Sequence, residues 1–259
     1  MPRFAANLSM LYSELEFPDR FAAAARSGFR AVECQFPYDT PRERLAEQLQ
    51  RHGLVQVLHN LPAGDWAGGE RGIAVLPGRM GEFQDGVGLG IEYAQALGCT
   101  QLNCLAGIRP AAVSEERARE TLVANLRFAA GALKAAGIRL LVEAINTRDI
   151  PGFFVRGTQQ TLDLIAATGS DNVFVQYDIY HMQRMEGELA ATIEKNLPRI
   201  AHIQLADNPG RNEPGTGEIN YPFLFSMLDR IGYAGWIGCE YKPRTTTAAG
   251  LGWYASLRT

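Results

Sequence analysis

Four residues that can ligate a metal ion lie near the polar ends of successive apolar segments in the second half of the chain: Glu143, Asp178, Gln204 and Glu240. Such apolar runs are typical of buried strands, and the strands of an α/β protein present functional side chains at their carboxyl ends. If those ends meet, three carboxylates come together, and their repulsion and desolvation call for a cation among them. The pattern therefore predicts a metal site.

The predicted ligands are all oxygens, with the amide of Gln204 among them, so we expect a hard divalent cation, Mg²⁺ first and Mn²⁺ second. His181 follows Asp178 by three residues and adds an imidazole. This set suits proton transfer at a carbon next to a carbonyl. The ion would polarise the carbonyl and stabilise an enediolate, while one carboxylate removes a proton and another returns it. The residues predict an isomerase or an epimerase and leave metal-assisted hydrolysis open.

An alternation of strands and helices would position these side chains. Strands are predicted at 4–8, 31–36, 54–60, 101–106, 138–146, within 172–183, at 200–207 and at 236–242. Helices are predicted at 18–26, 41–52, 78–97, 114–136, 158–168, 188–196 and 221–231. Eight such units predict a single-domain (β/α)8 TIM barrel of the α/β class over residues 1–259.

Three glycines suggest a nucleotide-binding alternative to the barrel. Gly86, Gly88 and Gly90 imitate a dinucleotide-binding fingerprint. No predicted strand immediately precedes them, however, and their spacing is not that of G-x-G-x-x-G. A Rossmann sheet is therefore disfavoured.

The composition excludes other classes. The 259 residues carry a net charge of -3 with both signs interspersed, which is not the pattern of a nucleic-acid-binding surface. Neither a signal-like nor a membrane-spanning segment is found, so we expect a cytoplasmic protein that acts on a small molecule and binds neither nucleic acid nor membrane. Cys34, Cys99, Cys104 and Cys239 lack metal or disulfide spacing and are expected to be reduced packing residues.

A glycine-rich loop at 61–72 is expected to act as a lid over the site. The side chains in it that could contact a ligand are Trp66, Glu70 and Arg71. Three further polar residues end the second and third predicted strands and either line the pocket or support it: Glu33, His59 and Asn60.

Five segments carry a more specific signal: HNLPAGDW (59–66), GERG (69–72), YDIYHMQ (177–183), EPGTGEINY (213–221) and GCEYKP (238–243). Together they resemble the bacterial hydroxypyruvate isomerases, within the wider xylose-isomerase-like barrels that also include ketose 3-epimerases. The resemblance extends over the whole chain.

The resemblance implies interconversion of hydroxypyruvate and 2-hydroxy-3-oxopropanoate (tartronate semialdehyde), a reaction of glyoxylate metabolism. It makes Glu143 and Glu240 the proton donor and acceptor pair, and it places the metal on Glu143, Asp178, Gln204 and Glu240. Ketose 3-epimerases are similar but usually have His in place of Gln204, which favours the isomerases.

A short hydroxy-keto acid needs a cation for its carboxylate, and the candidates are Arg71, Arg211 and Lys242. We expect Lys242 first, because strand alternation would direct it to the same side as Glu240. His181 would hydrogen-bond a substrate oxygen. The other expected substrate contacts are His59, Glu70 and Trp66.

Three alternatives stay open at this point. A 2-oxo-tetronate isomerase would use the same residues with a longer pocket. A metal-dependent endonuclease would need a His-rich multi-zinc site and a basic groove, which four His and an acidic balance disfavour. A non-catalytic sugar-acid-binding protein would show no turnover. The sequence also leaves open a proton or a hydride shift, and whether Leu251, Trp253 and Tyr254 pack within the chain or in a homo-oligomer.

Overall fold

Eight parallel strands close into a barrel in the computed structural model, which describes residues 2–256. Each strand pairs with its neighbours in chain order, and β8 pairs with β1 to complete the ring. The strands are β1 (Arg3–Asn7), β2 (Ala31–Glu33), β3 (Val55–Asn60), β4 (Gln101–Cys104), β5 (Arg139–Glu143), β6 (Val173–Asp178), β7 (Ile200–Leu205) and β8 (Trp236–Cys239). The predicted TIM barrel is confirmed.

Helices connect the strands. They are α1 (Phe17–Arg26), α2 (Arg42–His52), α3 (Met80–Leu97), α4 (Glu115–Ala135), α5 (Thr158–Thr168), α6 (Ile179–Met185), α7 (Leu189–Asn196), α8 (Tyr221–Arg230), α9 (Thr247–Gly250) and α10 (Gly252–Ser256). Capping residues define several helix ends: Ser114 accepts a hydrogen bond from the Arg117 amide at the start of α4, and left-handed Gly53 and Gly169 terminate α2 and α5.

The strands end earlier than predicted at the mouth of the barrel. β2 stops at Glu33 and β8 at Cys239, because the chain beyond each point leaves the sheet to form the mouth. Helix α6 was not predicted at all. It begins directly after β6 because the Asp178 side chain caps it, accepting hydrogen bonds from the amides of Tyr180 and His181. A strand therefore passes into a helix without a loop at the residue that carries the predicted metal ligand.

The barrel interior changes from apolar to polar towards the carboxyl ends of the strands. Near the opposite end, buried apolar residues such as Ala5, Ala31 and Leu141 pack together, with Phe174 and Trp236 against them. Two positions further along β2 and β5, the interior residues are Glu33 and Glu143. The buried glutamates of β2 and β5 thus lie in the half of the barrel that opens at the predicted site.

The apolar residues near the C-terminus pack within the chain. The Tyr254 ring stacks on Phe29 at a centroid distance of 4.5 Å, and the rings of Trp253 and Tyr254 meet Phe4 edge to face at 5.2 and 5.8 Å. Leu251 is also buried. Of the two alternatives, packing within the chain is therefore observed for these residues.

The cysteines behave as predicted. All four are free and buried, and burial raises the pKa of both Cys99 and Cys104 to about 12. A thiol that stays protonated is a small apolar side chain. Between residues 2 and 256, no helix has the length and apolar character needed to span a membrane.

Candidate active site

Three carboxylates and one imidazole meet at the mouth of the barrel. Glu143 ends β5, Asp178 ends β6, Glu240 directly follows β8, and His181 lies in the first turn of α6. One ligand atom from each lies within 4.8 Å of the others, and all four residues are buried. The strand ends therefore converge as predicted and bring together the principal candidate residues.

Asp178 directs one carboxylate oxygen to the protein and the other to the site. Its Oδ1 accepts hydrogen bonds from the amides of Tyr180 and His181 at 2.7 and 3.2 Å, whereas its Oδ2 is buried without a hydrogen-bond partner. An unsatisfied buried carboxylate oxygen is energetically costly. This oxygen fits a site that is completed by a bound cation.

Burial and mutual repulsion favour the protonated forms of two of these acids. Burial raises the pKa of Glu143 well above its usual range, with further contributions from Glu240 and Asp178. Burial also raises the pKa of Asp178 to about 7, opposed by Arg211 and reinforced by Glu240. A divalent cation would offset this repulsion, and a set of three acids matches the oxygen ligands that hard cations prefer. The residues present therefore fit the predicted metal.

Arg211 is the cation that faces the carboxylates. One guanidinium nitrogen donates to Glu240 Oε2 at 2.5 Å, and the guanidinium lies 5.3 Å from the centroid of the Tyr180 ring. Its Nε is buried and has no hydrogen-bond partner. The arginine thus neutralises one acid of the group and keeps one donor free.

The loop that carries Arg211 is folded around the side chain of Asp207, just beyond β7. Its two carboxylate oxygens accept hydrogen bonds from the backbone amides of Asn208, Gly215, Thr216, Gly217 and Ile219. Within the loop, Arg211 has a φ of 54°, and its carbonyl accepts from the Lys242 amide. This left-handed conformation is uncommon for a residue with a side chain. The surrounding hydrogen bonds hold Arg211 over Glu240.

His181 presents an N–H group to the site. Asn146 turns its amide oxygen to the backbone amides of Arg148 and Asp149, so its Nδ2 donates to His181 Nδ1 at 2.6 Å. Nδ1 is therefore an acceptor, and the ring proton lies on Nε2, which is 3.6 Å from Asp178 Oδ2. Burial, with Arg211 and Arg184, lowers the pKa of His181 well below its usual value, so the ring is neutral. A protonated Nε2 suits hydrogen bonding to a substrate oxygen better than metal ligation.

Gln204, the fourth predicted ligand, pairs with Asp178 in strand register. Its Nε2 donates to Glu33 at 2.8 Å, and its Oε1 accepts from Gln176 at 2.6 Å. An amide oxygen has two lone pairs, so one is left for a cation. The ligand role of Gln204 stays a prediction.

The glycine-rich loop is held together by the side chains that were predicted to bind substrate. Arg71 donates to the carbonyls of Trp66 and Glu70 at 3.0 and 2.7 Å and lies 4.4 Å from the Trp66 ring centroid. Glu70 forms an ion pair with Arg79. In this arrangement Arg71 and Glu70 stabilise the loop, and their substrate contacts stay predictions.

A cavity of about 520 Å³ lies beneath this loop. Its walls include Gln35, Phe36, Tyr38 and Trp66. Gln35 also donates to Glu240 Oε1 at 3.0 Å, so the cavity adjoins the carboxylate group. Trp66, whose ring lies 4.9 Å from that of Phe36, forms part of its wall.

Comparison with known proteins assigns the chain to a family. The family described as xylose isomerase-like TIM barrel matches residues 21–257. The chain belongs to this family. Among its family relatives is a hydroxypyruvate isomerase of Escherichia coli (strain K12), which is 57% identical over 98% of both chains. A 2-oxo-tetronate isomerase of Cupriavidus necator is 49% identical over 98% of this chain and 97% of its own.

A solved member of similar size supports the same assignment. The crystal structure described as AP endonuclease, family 2, from Brucella melitensis superposes with a TM-score of 0.96, at 46% identity and 99% coverage of both chains. The curated relatives are named as isomerases. The prediction of an isomerase on a xylose-isomerase-like barrel is confirmed.

Two predicted substrate contacts lie away from the group. Lys242 is exposed, and because β8 ends at Cys239 the strand alternation that favoured it does not reach it. His59 is paired in register with Leu102, whereas the next pair, Asn60 and Asn103, hydrogen-bond to each other inside the barrel. His59 therefore points outward, towards the backbone of Gly90 in α3. Burial there lowers the pKa of His59 to about 3, opposed by the interaction with Gly90. Neither position supports the expected contact.

Four amide side chains that contact the group were not predicted: Asn7, Gln35, Asn103 and Asn146. Asn7 and Asn103 lie at or near strand ends. The carboxylates were identified by their position at strand ends, and the same criterion applied to amide side chains would have found these two residues. Gln35 and Asn146 lie at the ends of the predicted strands 31–36 and 138–146, so the same criterion would have included them. The structure places both in irregular segments just beyond β2 and β5.

Proposed function

We propose that the protein interconverts hydroxypyruvate and 2-hydroxy-3-oxopropanoate by moving a proton between adjacent carbons, with Mg²⁺ or Mn²⁺ as cofactor. The observation that carries the proposal is the buried group in which Glu143 and Glu240 lie with Asp178 and His181. The 57% identical relative named as a hydroxypyruvate isomerase supports this choice of substrate.

The two glutamates differ in a way that suits an acid and a base. Glu240 accepts hydrogen bonds on both carboxylate oxygens, from Asn7, Gln35 and Arg211, which stabilises its anion. Glu143 accepts a single side-chain hydrogen bond, from Asn103. Groups whose environments differ in this sense can divide the two roles. Glu240 would remove one of the two C3 protons of hydroxypyruvate, Glu143 would protonate C2, and the hydroxyl proton would pass from O3 to O2. Exchange with solvent would then return both carboxyl groups to their starting forms, and the reverse reaction exchanges the roles.

The remaining groups would hold the substrate. The free Nε–H of Arg211 would donate to the substrate carboxylate, and the Nε2–H of His181 would donate to an oxygen on one of the reacting carbons. A divalent cation held by Glu143, Asp178, Gln204 and Glu240 would polarise the substrate carbonyl and offset the negative charge that develops on it. The enclosed position of the acids would limit the access of water to the reacting carbons.

The test is an assay of the purified protein with hydroxypyruvate in D₂O. The expected result is 2-hydroxy-3-oxopropanoate that carries deuterium at C2, because a proton held by a carboxyl group exchanges with solvent. Product without solvent deuterium would indicate a hydride shift and overturn the proposed proton transfer. Absence of turnover would overturn the proposed substrate, and absence of turnover on any hydroxy-keto acid would favour a binding protein.

Isomerisation of a four-carbon 2-oxo acid is the second candidate. The cavity beside Gln35 offers room for an additional carbon, and relatives at 49% and 43% identity are named 2-oxo-tetronate isomerases. The ratio of kcat/KM for the two acids decides between them. A ketose 3-epimerase would instead turn over a ketose.

An endonuclease finds less support in the site. The metal-binding group of the described residues contains a single His, and the net charge of the chain is -3. Multi-zinc sites and nucleic-acid surfaces require more imidazoles and a basic groove. We further propose that the protein acts in the cytoplasm, on a small hydroxy-keto acid of glyoxylate metabolism. Size-exclusion chromatography with light scattering would show whether it forms a homo-oligomer.

A further inference from the structure

Directly beneath the three acids, a second buried network is centred on Glu33. Glu33 is completely buried, and its carboxylate accepts hydrogen bonds from three side chains. Oε1 accepts from Asn7 Nδ2 at 2.9 Å and from Gln204 Nε2 at 2.8 Å, and Oε2 lies 2.7 Å from His202 Nε2. We propose that Glu33 is a positioning residue that orients the amides of Asn7 and Gln204 for the reaction. This inference rests on the proposed function.

An ionised carboxylate can only accept hydrogen bonds, so it fixes which end of each amide faces it. Gln204 must direct its NH₂ to Glu33, so its oxygen faces away from Glu33, where it accepts from Gln176 and keeps a second lone pair for the predicted cation. Asn7 must do the same, and the same NH₂ group reaches Glu240 Oε1 at 3.3 Å. A single oxygen of Glu33 thus sets the orientation of one predicted metal ligand and of one hydrogen-bond donor to the proposed base.

The fold reserves space for this carboxylate. A Cβ added to Gly238 would overlap both carboxylate oxygens of Glu33. Gly238 lies in β8, two residues before Glu240, and has no positive φ that would otherwise require glycine. The absence of a side chain at this position therefore serves the placement of Glu33.

The hydrogen bonds distinguish two substitutions of Glu33. Glu33→Gln keeps an oxygen at Oε1 for Asn7 and Gln204 and places its NH₂ against His202. In its other tautomer, His202 accepts from this NH₂ at Nε2 and carries its proton on Nδ1. The neighbouring Gln101 amide can rotate to accept that proton, because Gln101 Oε1 has no hydrogen-bond partner. Glu33→Met has a similar length and no acceptor, so both amides lose their orientation.

The test compares kcat, KM and Mn²⁺ affinity, the last measured by electron paramagnetic resonance without substrate. Residues that orient metal ligands typically contribute about 10–100-fold to metal affinity or activity. For Glu33→Met we expect losses of about that size in kcat and in Mn²⁺ affinity, with KM changed less. For Glu33→Gln we expect values within about three-fold of the native protein.

Gly238→Ala provides a second route that leaves Glu33 in the chain and displaces its carboxylate. It should reproduce the loss seen with Glu33→Met. Gly131→Ala is the matched control, because a Cβ there meets no atom within 4 Å. Circular dichroism and thermal unfolding would verify that each variant is folded.

The proposal is overturned if Glu33→Met binds Mn²⁺ and turns over substrate like the native protein, or if Glu33→Gln is impaired as severely as Glu33→Met. A native protein that isomerises neither acid would refute the proposed function. The Mn²⁺ affinities of the variants would still test the positioning role separately.

Discussion

The barrel contains two levels of buried carboxylates that differ in how completely they are hydrogen-bonded. At the lower level, each oxygen of Glu33 has a donor, from Asn7, Gln204 and His202. At the upper level, Asp178 Oδ2 has none, and three acids share one arginine. Folding alone supplies hydrogen bonds to both oxygens of Glu33, whereas Asp178 Oδ2 fits completion by a bound cation. The contrast matches the proposed division between a residue that positions the site and residues that react.

Replacing a glutamate by glutamine should lower kcat far more at the upper level than at the lower level, and this is the largest effect we expect. Glu143→Gln removes the group that we propose transfers a proton, and loss of such a group typically lowers the rate by about 10²–10⁴-fold. Glu33→Gln should leave kcat nearly unchanged. In metal-free protein, Glu143→Gln should also raise the melting temperature at pH 8, because it removes one of the repelling acids. Equal losses of kcat in the two variants would remove the distinction.

Arg211 and Lys242 offer a matched pair of cations at the mouth. Hydrogen bonds to charged groups contribute roughly 1.5–3 kcal/mol, so Arg211→Gln should lower kcat/KM by about 10–100-fold. Lys242→Gln should change it less than two-fold, because Lys242 is exposed. Steady-state kinetics with hydroxypyruvate measures both. A larger effect at Lys242 would restore the interpretation based on strand alternation.

Without a bound metal, the folding stability of the protein should depend on pH through the acids of the upper level. Folding raises the pKa of Asp178 from 3.8 to about 7, so the folded state holds a proton that the unfolded state has lost. The stability associated with this proton is complete below about pH 4 and is lost as the pH rises through 7. Added Mg²⁺ or Mn²⁺ should therefore raise the melting temperature more at pH 8 than at pH 5. Equal stabilisation at both pH values would argue against these ligands.

The smallest effect is expected in the loop over the mouth. Glu70 and Arg79 form an ion pair whose side chains are about one-third exposed, and exposed pairs contribute roughly 0–1 kcal/mol. Glu70→Gln should alter KM by less than about three-fold and leave kcat unchanged. A large rise in KM would show that Glu70 contacts the substrate.

Much of the upper level could be predicted from the sequence, because each acid ends an apolar run and strand ends in a barrel converge. Lys242 illustrates the limit of that reasoning. It assumed a strand to 242, and the chain leaves the sheet after Cys239. Periodicity does not show where hydrogen bonds between strands stop.

At the lower level, Glu33 was expected to line the pocket or to support it, but its hydrogen-bond partners could not be predicted, because they lie far apart in the chain and each is an ordinary polar residue. Glu33 and His202 are 169 residues apart. Their pairing, and the need for a glycine at position 238, follow only from closure of the barrel. His59 shows the same limit: which face of β3 it occupies is set by pairing with β4, not by its place in the apolar run.

Gln35 touches Glu240 on one side and the cavity under the loop on the other. Under the proposed function, the chemistry and the recognition of chain length would be carried by different parts of the barrel that meet at one side chain. Changes in the loop at 61–72 and in the segment after β2 would then lengthen or shorten the accepted acid while the acids at the strand ends stay the same. Such a division would allow a single ancestral isomerase to give rise to enzymes for acids of different length by changes confined to surface segments.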